Sequence, residues 1–220
     1  MRSRSQLLAS LIAVCLLTGG CKPRDKNRSV FRQEPCDYVL LIAVSEEVTN
    51  NDRAFEFVCY AIDQYFQDRG PGANDQVIIS RIEGERPLVW QGTPRNLRLE
   101  FPSAEEFRRH LSGTKAPGSL HDGLSRSIKL LLETYSVSQS KAKAVTMVLS
   151  DMNDDHPSAE ANDRFIDTLV DYCRRNGAIG FYFCDQLRFE EVREKTKKAG
   201  LGWVTLEPDV HGRPPLPSFE

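Results

Sequence analysis

The sequence predicts an α/β fold: a doubly wound, mostly parallel sheet with one antiparallel edge strand and helices on both faces. Three observations lead there. Apolar, β-branched runs alternate along the chain with segments whose apolar residues recur at helical spacing. The runs are apolar throughout, as strands covered on both faces must be. One pair of runs is joined by a link too short for a crossover helix, so that pair must be antiparallel and its second member must lie at an edge.

The first strand is "DYVLLIAV", beginning at Asp37. After "SEEVTNN" a helix is expected from Asp52 to Asp68, with Phe55, Val58, Cys59, Ile62, Tyr65 and Phe66 on its inner side. "RGPGAND" breaks it. "QVIISRI" is the second strand, and "EGERP" turns the chain back into the short edge strand "LVWQG". The next segment reads as a loop. Ser103 and Glu106 then form a capping box that opens the helix "SAEEFRRHL". Beyond "SGTKAPG" a longer helix turns Leu120, Leu124, Ile128, Leu131, Leu132 and Tyr135 inward. "KAVTMVLS" is a strand, and Ser158 caps a helix carrying Phe165, Ile166, Leu169, Val170 and Cys173. "AIGFYFC" is a strand, a helix follows from Leu187 to Ala199, and "WVTL" closes the sheet. The tail "EPDVHGRPPLPSFE" is proline-rich and extended.

The chain of 220 residues has room for one sizeable domain of this kind. Lys and Arg number 29 against 31 Asp and Glu, with no basic stripe carrying interleaved aromatics, which excludes nucleic acid as the expected partner. The opening "MRSRSQLLASLIAVCLLTGGC" has a positive start, an apolar stretch from Leu7 to Leu17 too short to span a bilayer, and small residues running into Cys21. That is the layout of a secretory signal. "LTGGC" resembles a bacterial lipobox, in which cleavage precedes a cysteine that becomes lipid-modified, although Leu17 sits one place early and Thr18 takes its position. The expectation is therefore a signal peptide over residues 1–20, a lipid-anchored polar tether over 21–36, the folded domain over 37–208 and the proline-rich tail over 209–220. Such a chain is exported and held on the bacterial cell envelope, on its periplasmic or cell-surface side, by lipid on Cys21.

Beyond Cys15 and Cys21, four cysteines remain: Cys36, Cys59, Cys173 and Cys184. Four allow three pairings, and the sequence does not choose among them. None lies in a C-x-x-C pair, so zinc and thioredoxin-like chemistry have no support. Cys59 reads as a small core residue. Cys184 ends a strand, but no histidine is placed to activate it.

In doubly wound sheets ligands gather at the carboxyl ends of the strands. That rule selects Ser45 to Asn51, Gly113 to Asp122, Asp151 to Pro157 and Asp185 to Leu187 as the loops that matter. Three pieces in and around these loops, "DYVLLIAVSEEV", "PGSLHDGL" and "VTMVLSDMNDD", lie in an order and spacing that resembles a von Willebrand factor A domain, from Asp37 to about Pro208. The resemblance implies a metal-ion-dependent adhesion site, in which an Asp-x-Ser-x-Ser motif, a threonine and an aspartate hold a magnesium-like ion. This chain departs from that pattern. Ala43 replaces the first aspartate, Ser45 keeps the middle serine, and Glu47 stands where the second serine belongs. Gly118, with Ser119 beside it, takes the threonine's place, and Asp151 matches the final aspartate. A rebuilt site would use Ser45, Glu47, Ser119 and Asp151 with Mg2+ or another divalent cation. The expectation is a degenerate site without a cofactor, because oxygens are missing from two separate loops. Glu47 and Asp151 are then carboxylates favoured near helix N-termini.

Two functions follow from these loops. The first is a non-catalytic protein-binding module using the loop face, with Glu46, His121, Asp154 and Asp155 as candidate contact residues. The alternative is a metal-dependent hydrolase using Asp151, Asp154, Asp155 and His156, with or without Glu47. The cluster is local, whereas metal hydrolases gather ligands from several strand ends. The plainer reading makes Asp154, Asp155 and His156 polar loop residues leading to the Ser158 cap, and His121 a solvated loop histidine. "GPGAND" and "SGTKAPG" lack the spacing of a phosphate loop.

Overall fold

The computed structural model describes residues 38–46, 50–67, 74–84, 87–112, 118–135, 143–154, 156–201, 204–207, 210 and 212–217. The signal peptide, the tether, Cys21, Cys36, Glu47 and Asp155 lie outside the described residues. The strands are β1 (Tyr38–Val44), β2 (Gln76–Arg81), β3 (Leu88–Gly92), β4 (Lys143–Leu149), β5 (Gly177–Tyr182) and β6 (Thr205–Glu207). They form one sheet in the order β3-β2-β1-β4-β5-β6, parallel throughout except for the β2/β3 pair. This is the doubly wound order, with its switch point between β1 and β4.

Side chains along each central strand sort by parity onto the two faces. Val39, Leu41 and Ala43 of β1 meet Ala144 and Val148 of β4 on one face. Leu40, Ile42 and Val44 meet Val145, Met147 and Leu149 on the other. The first face is covered by α4 (Leu120–Tyr135), α5 (Ala159–Arg174) and α6 (Gln186–Lys198). The second is covered by α1 (Asp52–Phe66), α2 (Pro94–Glu100) and α3 (Ala104–Leu111). Double coverage is why the strands read as unbroken apolar runs.

Two expectations need correction. The segment read as a loop after β3 is the helix α2: Thr93 caps it by accepting from the Asn96 N–H at 3.2 Å, and Pro94 fills its first turn. Trp90 Nε1 donates to Glu100 Oε2 at 2.8 Å and ties this helix to the edge strand. In α1 the buried face runs through Ala54, Phe57, Val58, Ala61, Ile62 and Phe66, while Phe55, Cys59 and Tyr65 sit at its flank. The inner stripe is thus rotated toward the small residues, which let the helix approach the sheet. In the tail Val210, Pro214 and Pro217 are buried, Val210 against the second face and Pro217 beside Gly180 of β5. The caps expected at Ser103 and Ser158 are formed, accepting from the N–H groups of Glu106 and Ala161. Among the described residues no helix is long and apolar enough to cross a membrane.

Candidate functional site at the carboxyl edge of the sheet

The loops leaving β1, β4 and β5 are stitched together by their own backbone. Ser45 N–H donates to Leu149 O at 2.9 Å, Ser150 N–H to Tyr182 O at 3.1 Å, and Asp185 N–H to Asp151 O at 2.9 Å. Met152 is turned into the left-handed region at φ 63°, a conformation that is costly for a side chain of its size. Its burial in the core and the bond from its N–H to Ser150 Oγ hold it there. The reversal points Asp154 back across the sheet edge toward the start of α4.

Asp154 is the hub of the site. Its side chain is only 4 % exposed. Oδ2 accepts from Ser119 Oγ at 2.9 Å and from His121 Nδ1 at 3.1 Å, and Oδ1 accepts from the His156 N–H at 2.9 Å. The backbone N–H of Leu120, in the first turn of α4, also favours the charged form of this carboxylate. Burial alone would push the Asp154 pKa up. The donors from His156, Ser119 and Leu120, with His121 beside them, outweigh it and hold the carboxyl below its usual range. Ser119 also accepts from the Asp122 N–H, so one hydroxyl caps α4 and binds Asp154. His121 is pushed below its ordinary value, burial outweighing the pull of Asp154. It is neutral at pH 7 with Nδ1 carrying the proton, since a carboxylate can only accept. Its ring lies 5.6 Å from that of Phe165. His121 and Asp154 are therefore not solvated loop residues: each is half or more buried and bonded to the other.

The other candidates go elsewhere. Asp151 closes a local turn on Asn153, Oδ1 accepting from its N–H at 3.0 Å and Oδ2 from its side-chain amide at 2.9 Å. Glu46 donates its backbone N–H to Glu83. Ser45 is fully buried, and its hydroxyl has no partner among the described residues. His156 is exposed.

A hard divalent cation needs oxygens converging from several loops. Ala43 supplies none, Ser119 Oγ donates to Asp154, and each oxygen of Asp151 accepts one bond from Asn153. Among the described residues no group of three His, Cys, Asp or Glu side chains could hold a metal. Nor do Ser119, His121 and Asp154 form a nucleophile, base and orienter in sequence. The carboxylate sits between the serine and the histidine, so the histidine cannot take the serine's proton. Cys184 is buried, its thiol pushed up to about 12 by burial and by the charge of Asp151.

No family model matches the chain, and no curated protein matches it in sequence. Solved structures do match in shape. One is the D319A mutant of the PilB minor pilin from Streptococcus sanguinis: TM-score 0.50, 7% identity, over 80% of this chain and 58% of that chain. Another is a von Willebrand factor type A structure from Catenulispora acidiphila: TM-score 0.47, 12% identity, over 78% of this chain and 38% of that one. The chain thus spans less than two thirds of either neighbour. At such identity the pilin likeness is one of fold alone.

Behind Asp154 lies a cavity of about 60 Å3, lined among others by His121, Asp154, Asn162, Arg188, Glu191 and Lys195. Lys195 Nζ donates to Asn162 Oδ1 at 3.0 Å, and Arg188 pairs with Glu191. Sequence reading found Asp154 and His121 as loop residues but not their bond, nor the α5 and α6 groups behind them. The only signal in the sequence was "PGSLHDGL", where Ser119 stands at the helix start, a position at which a hydroxyl caps.

Proposed function

We propose that the chain is an exported, lipid-anchored, non-catalytic protein-binding module of the von Willebrand factor A kind, which engages a protein partner through the carboxyl-edge loops and needs no resident cation. One observation carries the reading. The loops that a cation would join are joined by the chain's own groups, with Asp154 bound to Ser119, His121 and the first turn of α4. The edge is thereby preorganised without an ion, and Asp151, Asn153 and His156 remain at the surface to be read by a partner. Export and anchoring rest on the N-terminal sequence and on its resemblance to a lipobox ending at Cys21.

The test uses the full chain in its native envelope. A photocrosslinking residue at Asn153 or His156 should give one discrete protein adduct, while the same residue at Lys143, where β4 begins, should give none. Adducts that form equally at all three positions, or at none, would overturn the loop-face reading. Cys21→Ser should move the protein from the membrane fraction to the soluble one, and unchanged sedimentation with membranes would refute the anchor.

A further inference from the structure

The proline-rich tail packs against α1 and β5. Arg213, Pro214 and Leu216 each precede a proline, which biases them to extended, polyproline II backbone. That helix has three residues per turn and no internal hydrogen bonds, so one face repeats at every third residue and every carbonyl needs an outside donor. The tail fits the first requirement and, at two carbonyls, the second. Pro214 and Pro217 are buried, while Arg213 and Pro215 face solvent. The Pro215 carbonyl accepts from Tyr182 Oη at 2.9 Å, and the Pro217 carbonyl from Tyr65 Oη at 2.6 Å. The Pro217 ring fits where Gly180 has no side chain: a Cβ there would lie 2.7 Å from Pro217 Cγ. The Arg213 guanidinium stands 5.7 Å from the centroid of the Tyr60 ring.

We propose that the groove formed by Tyr60, Tyr65, Tyr182 and Gly180 is a polyproline-binding site, filled in cis by residues 213–217, that takes a proline-rich segment of another protein when this strap lifts. The partner's segment carries two prolines three residues apart and a basic residue before the first. The chemistry is read from the occupant: phenol donors for alternate carbonyls, a flat gap for one ring, and an aromatic face for a cation. Aromatic grooves capture such segments because polyproline II loses little freedom on binding. The strap is tethered, which gives it a high effective concentration and makes it a competitor for any partner. The inference is independent of the loop-face reading, since it rests on α1, β5 and the tail alone.

The experiment follows a labelled peptide with the sequence of residues 210–217 by fluorescence anisotropy. It is titrated with the full chain and with a full chain loosened by Pro214→Gly and Pro217→Gly. The loosened chain should bind the peptide about tenfold or more tighter than the intact one, because the cis competitor is weakened. Adding Tyr65→Phe and Tyr182→Phe should lower that binding again by about tenfold, the loss of two hydrogen bonds. A peptide with alanine at both buried proline positions should not bind. A folded loosened chain that ignores the peptide, or takes the alanine peptide equally well, would overturn the proposal. If the loosened chain does not fold, the intact chain is titrated to high peptide concentration, and the amide resonance of Gly180 must shift. An unmoved Gly180 is a refutation. A dimer of the intact chain that grows with concentration and is dissolved by the peptide would make the occupant a second copy's tail, and would refute a heterologous partner.

Discussion

At the scale of single residues, Asp154 does the work that sequence assigned to Asp151. Removing its carboxylate strands the Ser119 hydroxyl and the His121 Nδ1–H in a half-buried place, so Asp154→Ala should cost about 2–4 kcal/mol in denaturant unfolding. Asp151→Ala, which loses only a local turn onto Asn153, should cost about 1 kcal/mol or less. Equal costs would remove Asp154 from the centre of the site. The same pair sets a pH dependence. The His121 pKa is depressed below 6.5 by burial, against the pull of Asp154 and Asp122 and with the help of Lys195. The unfolded chain therefore takes up a proton first as pH falls, and stability drops from about pH 6.5 down toward the folded value. The Asp154 pKa is also depressed, from 3.8, so its contribution is present above that value and lost as pH falls through the lower folded one. His121→Gln should flatten the first decline and leave the second. A profile unchanged by that substitution would show that His121 does not titrate with folding. The thiols give a further check: burial, with Asp63 and Glu56 nearby, pushes Cys59 up to about 11, and burial with Asp151 pushes Cys184 up to about 12. At pH 8 both should resist alkylation until the protein is unfolded, whereas rapid labelling of the native protein would contradict their placement.

At the scale of elements, α4 owes its position to a close approach. Gly123 lies against the backbone carbonyl of Ile82, just past β2, and a Cβ there would overlap it. Gly123→Ala must push the first turn of α4 off the sheet, and with it Ser119, Leu120 and His121. The expected cost is about 3 kcal/mol or more, with loss of the His121 contribution to the pH profile. A variant of native stability would mean that the helix start has slack. This scale also shows what sequence could and could not convey. Strand identity, the antiparallel edge and most helix starts were legible, because doubly covered strands must be apolar throughout and caps need short polar side chains. The helix α2 was missed although Thr93 and Pro94 announce it, since "PRNLRLE" is too short to display a period. The inner stripe of α1 was misplaced because Ala54 and Ala61 pack inward while larger neighbours lie along the flank. The hub at Asp154 was illegible for a different reason. It depends on the left-handed turn at Met152, and no one-dimensional pattern records which of three aspartates a turn will aim inward.

At the scale of the whole molecule, the question is whether the fold is complete without an ion. The two halves of the sheet meet at β1 and β4, whose adjoining loops carry the positions where the von Willebrand factor A resemblance places a metal. A cation bound there only in the folded state would raise stability by mass action, about 2.7 kcal/mol at a concentration a hundred times its dissociation constant. The full chain should instead unfold at the same temperature in EDTA and in millimolar magnesium, manganese or calcium. The bonds around Asp154 already join α4 to the loop after β4. Asp151→Ala should be equally indifferent to ions. A cation-dependent rise abolished in Asp151→Ala would mean that Asp151 exchanges Asn153 for a metal, and the proposal of an ion-independent binding edge would fail with it. Ion-independence, by contrast, makes the binding edge permanently formed. Affinity for a partner would then follow the surface charges of the loops and the ionic strength, not the supply of divalent cations.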